Sequence, residues 1–477
     1  MKKPTILVLA KTGFVLRDLV LGKFGEKISN QAFMVVALPS TSINGLMQSW
    51  KGNSISTIEF PEFGRNEHQI HRLLNLQHLI YRFKQIQRHN SSMEINTKLL
   101  KSHYSMTDSL ITFSFMLLGY LVNLLNISEI SDEIFLKLIG RWDVTKQWVY
   151  IIKEVKPDFV FSTILSLPDG FDYPSADLPP VLACLELGIP VGTLIQSWDN
   201  LSSKTYIMPK NLTRFWTWSE NMSQDLIYYC NYIPIDRIKS VGSPHYDFHL
   251  DPSFIVTREK YLCSIGLDPN KKYVVIGTGT KSMFPDAPKS VNQLINQILD
   301  NIPTLQIVVR IHPKDDGSRW YEHLEQLHQR GIIFQNTNPD VHMDQGGFDP
   351  PSVYFHNLIN LLFHSAIVIN ASSSLSVDAA IMNKPIITLC YDNEPDQRFP
   401  YGRNYSYNHS AHFLPLIRDN GIHPVYSLDD CIALIRKYLE APTINQAARK
   451  KVSQYVGGSL DGLAGERLAV DLLNVVS

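Results

Sequence analysis

Short apolar runs alternate with amphipathic stretches along most of the chain. Ile6 to Ala10 is an unbroken apolar run, which predicts a buried strand. Lys11-Thr12-Gly13-Phe14 follows as a turn, and VLRDLVLGKFGEKI then has helical spacing. Gln31 to Leu38 predicts a second strand. Between about Glu62 and Arg141 the spacing is helical throughout. There Ile70, Leu73, Leu74, Ile80 and Phe83 share one face. From Lys156 the strand–helix rhythm returns with PDFVFSTIL, VLACLELG and IPVGTLIQ, and Phe215 to Trp218 is a further strand. Val241-Gly242-Ser243-Pro244 closes this half, and His245 to Lys271 reads as a linker with one helix.

A second series then begins. Strands are expected at YVVIGTG (273–279), Leu305 to Ile311, Gly331 to Gln335, Ala366 to Asn370 and Pro385 to Leu389. Helices are expected at Asn292 to Leu299, Val353 to Leu362 and Leu375 to Met382. Strands alternating with helices predict parallel sheets. The expected architecture is therefore α/β, two Rossmann-like domains facing across a cleft, with a helical insertion in the first. The first spans residues 1–250 with the insertion at about 61–150, and the second spans 265–460. A C-terminal helix at 461–477 is expected to pack back on the first domain.

Composition narrows the class. The chain has 477 residues, 44% hydrophobic and 19% charged, which suits a globular multidomain protein. Lys+Arg 44 against Asp+Glu 45 gives a net charge of −1, so no global charge favours nucleic acid. Five cysteines, at 184, 230, 263, 390 and 431, form no zinc spacing and fit a reducing cytoplasm. The N-terminal apolar run ends at Lys11, too short for a signal-peptide core. Ser109 to Asn126 carries no charge, yet its polar residues favour a buried helix, with membrane-surface contact as the other reading. Over Pro61 to Tyr104 there are seven Lys/Arg against three Asp/Glu. This is either a solvated face or a basic surface for an anionic acceptor or membrane.

Ligands of doubly wound sheets lie beyond the carboxyl ends of the strands, and four loops there carry polar groups. Gln196-Ser197-Trp198-Asp199-Asn200 offers Asp199 as a general base or as an Asx-turn. Gly277-Thr278-Gly279-Thr280-Lys281 offers backbone N–H groups and a lysine to a phosphate, but it is no P-loop. Arg310-Ile311-His312-Pro313 ends a strand and leaves His312 at the ligand edge. Ser372-Ser373-Ser374 opens a helix suited to an anion, with Asp378 one turn on and within reach of a ribose, although one serine is an ordinary N-cap.

In their order these loops resemble the GT-B glycosyltransferases, and within them the CDP-glycerol glycerophosphotransferases that polymerise teichoic acids. The matching residues are Trp198-Asp199-Asn200 with Lys204, Gly242-Ser243-Pro244 through Asp247, His312-Pro313, Ser373-Ser374 with Asp378, and Lys384-Pro385. The His-Pro and Ser-Ser pair is also similar to that of bacterial CMP-sugar transferases. The chain departs from the family at Asp199, where the family has a histidine, and at His245, where it has an arginine. It departs again at Gly277–Thr280, where the family has Pro-Thr-x-Arg. A sugar donor is therefore favoured over CDP-glycerol.

The resemblance implies an inverting, metal-independent glycosyltransferase of bacterial surface polysaccharide synthesis, acting at the cytoplasmic side of the membrane without a cofactor. The donor would be a CMP-, CDP- or UDP-sugar and the acceptor a glycan or lipid-linked glycan. Asp199 and His312 would be catalytic. Gly277–Lys281, Arg310, His312, Pro313, Ser372–Ser374 and Asp378 would hold the donor. Thr12, Gly13, Asp169, Trp198, Asn200 and Lys204 would face the acceptor. The alternatives are a glycerophosphotransferase, a nucleotide-sugar epimerase on the same fold, or a non-catalytic nucleotide-sugar-binding protein.

Overall fold

The computed structural model describes residues 3–477, except 39–54, 62–79, 83–84, 87–89, 101–116, 119, 123, 126–127, 164, 168–176, 282, 314, 316, 336–350 and 395. The chain divides into two compact units. One comprises Met1–Pro244, Val456–Ser459 and Leu463–Ser477; the other comprises His245–Tyr455 and Leu460–Gly462. The segment after Pro244, expected as a linker, is thus the opening of the second unit.

In the first unit the strands are β1 (Thr5–Leu9), β2 (Phe33–Leu38), β3 (Ile55–Glu59), β4 (Phe159–Ser162), β5 (Ser166–Leu167), β6 (Val191–Leu194), β7 (Thr205–Tyr206), β8 (Arg214–Thr217) and β9 (Ile238–Ser240). Seven of them form one sheet in the order β3-β2-β1-β4-β6-β8-β9, while β5 and β7 pair separately and antiparallel. Every pair in the large sheet is parallel, from Ile6 opposite Met34 to Thr217 opposite Ser240. Its inner strands are buried on both faces, so they read as continuous apolar runs.

The expected helix after Lys11-Thr12-Gly13-Phe14 is broken. A π-helical turn spans Leu16–Val20, and the α-helix starts anew at Lys23 and runs to Gln31. Gly25 explains the break: a Cβ there would lie 1.8 Å from the Val20 carbonyl oxygen, so the two turns close on each other where only hydrogen fits. The C-terminal helix Ala464–Val476 packs on the Lys23–Gln31 helix, and Asp471 accepts from Trp216 Nε1 at 2.8 Å. The described insertion holds the helices Ser91–Leu100 and Ser128–Gly140.

The second unit contains β10 (Tyr273–Gly277), β11 (Gln306–Arg310), β12 (Ile333–Gln335), β13 (Ile367–Asn370), β14 (Ile386–Leu389) and β15 (His423–Val425). Their order is β12-β11-β10-β13-β14-β15, again all parallel. Both sheets therefore step outwards from the first strand of their series and reverse beside it, between β1 and β4 and between β10 and β13. Such a reversal point leaves a crevice beyond the carboxyl ends of the two adjoining strands. The fold is GT-B: two Rossmann-like α/β units.

Candidate functional site

The crevice of the second unit opens beyond β10 and β13, which places the Gly277–Lys281 and Ser372–Ser374 loops there. Thr278 is buried and ties the neighbouring strand ends together. Its N–H donates to the Arg310 carbonyl at 3.0 Å and its hydroxyl accepts from the His312 N–H at 2.9 Å. That bond fixes the backbone of His312, whose half-buried side chain sits at the end of β11 before Pro313. Arg310, 9% exposed, reaches Gln335 at 3.5 Å.

The glycines of this loop serve packing. A Cβ on Gly277 would lie 2.5 Å from Leu375 Cδ2, so the glycine lets the following helix close on the strand end. A Cβ on Gly279 would fall 1.7 Å from the Phe284 ring. Lys281 is exposed beside them. Two arginines that the sequence did not single out hold the loop. Arg319 donates to the carbonyls of Gly279 (2.8 Å) and Phe284 (2.5 Å) and pairs with Asp315 at 2.6 Å. Arg403 donates to the Met283 carbonyl at 2.9 Å.

The three serines differ. Ser372 sits at φ +39°, its N–H donating to Thr388 Oγ1 at 3.2 Å and its hydroxyl to the Tyr407 carbonyl at 3.3 Å. Ser373 Oγ accepts from Leu375 N at 3.2 Å, whereas Ser374, at the N-cap of the helix Leu375–Ile381, makes no side-chain capping bond. Ser374 is exposed. Asp378 faces two imidazoles: its Oδ1 lies 3.7 Å from His245 Nε2 and 3.4 Å from His249 Nε2. The nearby imidazoles hold its carboxyl well below the usual range, against burial that opposes ionisation.

A cleft of about 780 Å³ also opens at this edge of the second unit, between the loops after β10, β11 and β14. It is lined by Lys289, Arg319, His323, Arg398 and Arg403, but equally by Asp286, Asp392, Glu394 and Asp396. Asp396 pairs with both Arg398 and Arg403, and Lys289 pairs with Glu394. Its cations already face carboxylates, so an anion would have to displace a local partner. The loops at the strand reversal are the better candidate for a phosphate.

In the first unit β6 ends at Leu194, and Asp199 precedes the helical turn Asn200–Ser203. Both its carboxylate oxygens accept hydroxyls, Oδ1 from Ser197 at 2.5 Å and Oδ2 from Ser203 at 2.9 Å, while its carbonyl accepts from Ser203 N at 2.8 Å. This half-buried carboxylate is fixed on a rigid turn between buried Trp198 and buried Asn200. Lys204 is half-buried at the end of that turn. Thr12 stands at the start of the Gly13–Val15 helical turn, and its hydroxyl accepts from Gln196 Nε2 at 3.4 Å, which joins the loops after β1 and β6. Gly13 is buried beside it. Asp169 lies outside the described residues. Asp177 is a residue the sequence did not reveal. Fully buried, it accepts from Ser162 Oγ (3.0 Å) and Thr163 N (2.9 Å) and closes the carboxyl end of β4.

No family model matches the sequence, and no curated protein is similar to it. Solved structures are similar in fold over the whole chain. A UDP-GlcNAc 2-epimerase from Methanocaldococcus jannaschii superposes with TM-score 0.53 at 12% identity, covering 99% of this chain and 100% of the other. The UDP-GlcNAc 2-epimerase of Neisseria meningitidis, solved with UDP-GlcNAc bound, gives 0.52 at 13% identity over 98% and 100%. A glycosyltransferase from Rickettsia africae gives 0.50 at 12% identity over 100% of both chains. The order of both sheets and this whole-length likeness agree on the same two-unit GT-B fold.

Proposed function

We propose that the chain is a glycosyltransferase that moves a sugar from a nucleotide donor to a glycan or lipid-linked acceptor. One observation carries the reading: Asp199 is a carboxylate held by two serine hydroxyls on a rigid turn beyond a buried parallel strand. A carboxylate so placed suits a general base that takes the proton of an acceptor hydroxyl as it attacks the donor's anomeric carbon. The nucleoside mono- or diphosphate leaves with the bonding pair. We place it on the second unit, against the His312 side chain and the Thr278 and Ser374 edges of the strand reversal, where helix N–H groups and fixed side chains stabilise a leaving phosphate without a metal. Asp378 faces histidines, so we do not assign it to the ribose.

The neighbours named as UDP-GlcNAc 2-epimerases favour a second reading, epimerisation of the nucleotide sugar itself. The glycerophosphotransferase resemblance stands behind both, weakened by Asp199 in place of histidine. The readings separate in one experiment. Purified chain is incubated with CMP-, CDP- and UDP-sugars, with and without glycan acceptors, and free nucleotide and epimeric sugar are both measured. Nucleotide release that depends on acceptor and falls in Asp199→Asn supports transfer. Epimeric donor formed without acceptor overturns it in favour of the epimerase.

A further inference from the structure

Two histidines open the second unit one turn apart, His245 in the short helix Pro244–Asp247 and His249 just beyond it. Both imidazoles point at Asp378. The three side chains are nearly or fully inside the unit, with exposures of 17%, 0% and 11% for His245, His249 and Asp378. The Nε2–Oδ1 distances of 3.7 and 3.4 Å exceed the roughly 2.7–3.2 Å of an N–H···O hydrogen bond. They match another geometry: two ligand atoms each about 2.0–2.1 Å from one tetrahedral ion stand about 3.4 Å apart. All three ligand atoms lie within 4.8 Å of one another.

The tautomer points the same way. His249 Nδ1 faces the His245 carbonyl oxygen at 3.4 Å, so in the neutral ring with its proton on that side Nε2 is the atom free to ligate. That Nε2 is buried and makes no hydrogen bond among the described residues. A lone pair facing a carboxylate is repulsive unless a proton or a metal ion stands between them. The surroundings are largely aromatic: the Phe355 ring lies 5.3 and 5.7 Å from the two imidazoles, and the Tyr246 ring 5.1 and 5.3 Å. An ionised carboxylate in such a shell needs a fixed positive partner.

We propose that His245, His249 and Asp378 form a binding site for a divalent transition ion of the zinc class. Two neutral imidazoles and one carboxylate suit zinc, whereas magnesium and calcium take oxygen ligands. Water completes the tetrahedron from the partly exposed side of His245. The ion fastens the opening segment of the second unit to the helix that follows the serine loop. It is structural, no step of the proposed transfer runs through it, and the inference stands whether the chain transfers or epimerises sugars.

The test uses untagged full-length chain, stripped with chelator and dialysed. Cobalt(II) is expected to bind with one-to-one stoichiometry and to give the intense visible absorption of a tetrahedral site, which zinc then bleaches by displacement. Zinc should raise Tm. Asp378→Asn and His249→Gln, which keep the side-chain shapes, should weaken zinc at least about 100-fold, while His409→Gln, distant in sequence and bonded elsewhere, should not. Absence of the cobalt spectrum and of any zinc-dependent Tm change in the wild-type chain overturns the proposal and leaves a protonated histidine–carboxylate pair. So does zinc affinity that Asp378→Asn leaves unchanged.

Discussion

The side chains at the strand ends carry specific expectations. Thr278 holds the backbone of His312 through its N–H, so the strand end that carries the ring is fixed. Replacing it with alanine removes one well-placed or charged hydrogen bond, worth about 1–3 kcal/mol. Calorimetric titration should therefore show nucleotide affinity weakened by roughly five- to 150-fold in His312→Ala, with Tm nearly unchanged. Asp199→Asn keeps the shape and the acceptor oxygen but loses the base. Turnover should fall by about 10²–10⁴-fold while nucleotide affinity holds. A variant of normal turnover would show Asp199 to be a turn residue serving only Ser197 and Ser203. Asp225, in the helix Glu220–Tyr229, makes a separate prediction from pH. Burial pushes its carboxyl up to about 6. Between about pH 4 and 6 the folded chain then keeps a proton that the unfolded chain has lost, so this group's stability contribution declines as pH rises through that window. Asp225→Asn should be more stable than the wild type at pH 7.5, by about 1–3 kcal/mol. Denaturant titrations of the two should converge near pH 4.

At the scale of elements, the strands were legible where burial is two-sided. Tyr273–Gly277, Gln306–Arg310, Ile367–Asn370 and Ile386–Leu389 are apolar runs ended by Gly, His-Pro, Asn or a polar turn, and each lies within a residue or two of its expected place. The edge strand Ile55–Glu59 escaped because its residues are half exposed and its pattern ISTIE is too short to show a period. The helices Leu428–Glu440 and Gln446–Gly457 also lie outside the expected elements. The loops at the strand ends were legible, because strand ends are written locally. Their supports were not, because they join residues far apart. Arg319 reaches Gly279 across 40 residues, and Arg403 reaches Met283 across 120. The glycines of the Gly277–Lys281 loop also have a packing role that the sequence did not reveal: Gly279 is needed because Phe284 fills the space beside it. Gly279→Ala would force that ring or the backbone aside. It should cost about 1–3 kcal/mol, as overpacking does, and loosen the loop that Arg319 clamps. Thermal unfolding and donor titration of Gly279→Ala should show both losses together.

For the whole molecule, a net charge of −1 leaves no long-range field, so attraction to any surface has to come from a local patch. One exists in the helical insertion of the first unit. Leu117, Leu121, Leu124 and Leu125 recur at helical spacing and are 54%, 41%, 63% and 62% exposed. Ile130 and Ile134, one turn apart on the helix Ser128–Gly140, are 56% and 53% exposed. Apolar side chains clustered on a surface mark a contact. No helix among the described residues is long and apolar enough to cross a membrane; for this patch we propose contact with the bilayer surface. On that proposal, the sequence from Pro61 to Tyr104, with seven Lys/Arg against three Asp/Glu, would supply the charge that anionic headgroups attract. A lipid-linked acceptor would then be met where it is anchored. The chain should float with vesicles containing anionic lipid, less so as salt screens the basic part, with a residue of apolar binding that salt does not remove. Each leucine buried in the bilayer interface contributes about 1.5–3 kcal/mol, so Leu124→Ser with Leu125→Ser should cut vesicle binding by at least about 100-fold. Should that double variant float as well as the wild type, or the wild type fail to float at low salt, the patch does not serve a membrane. Sedimentation of the free chain would then ask whether it joins two copies.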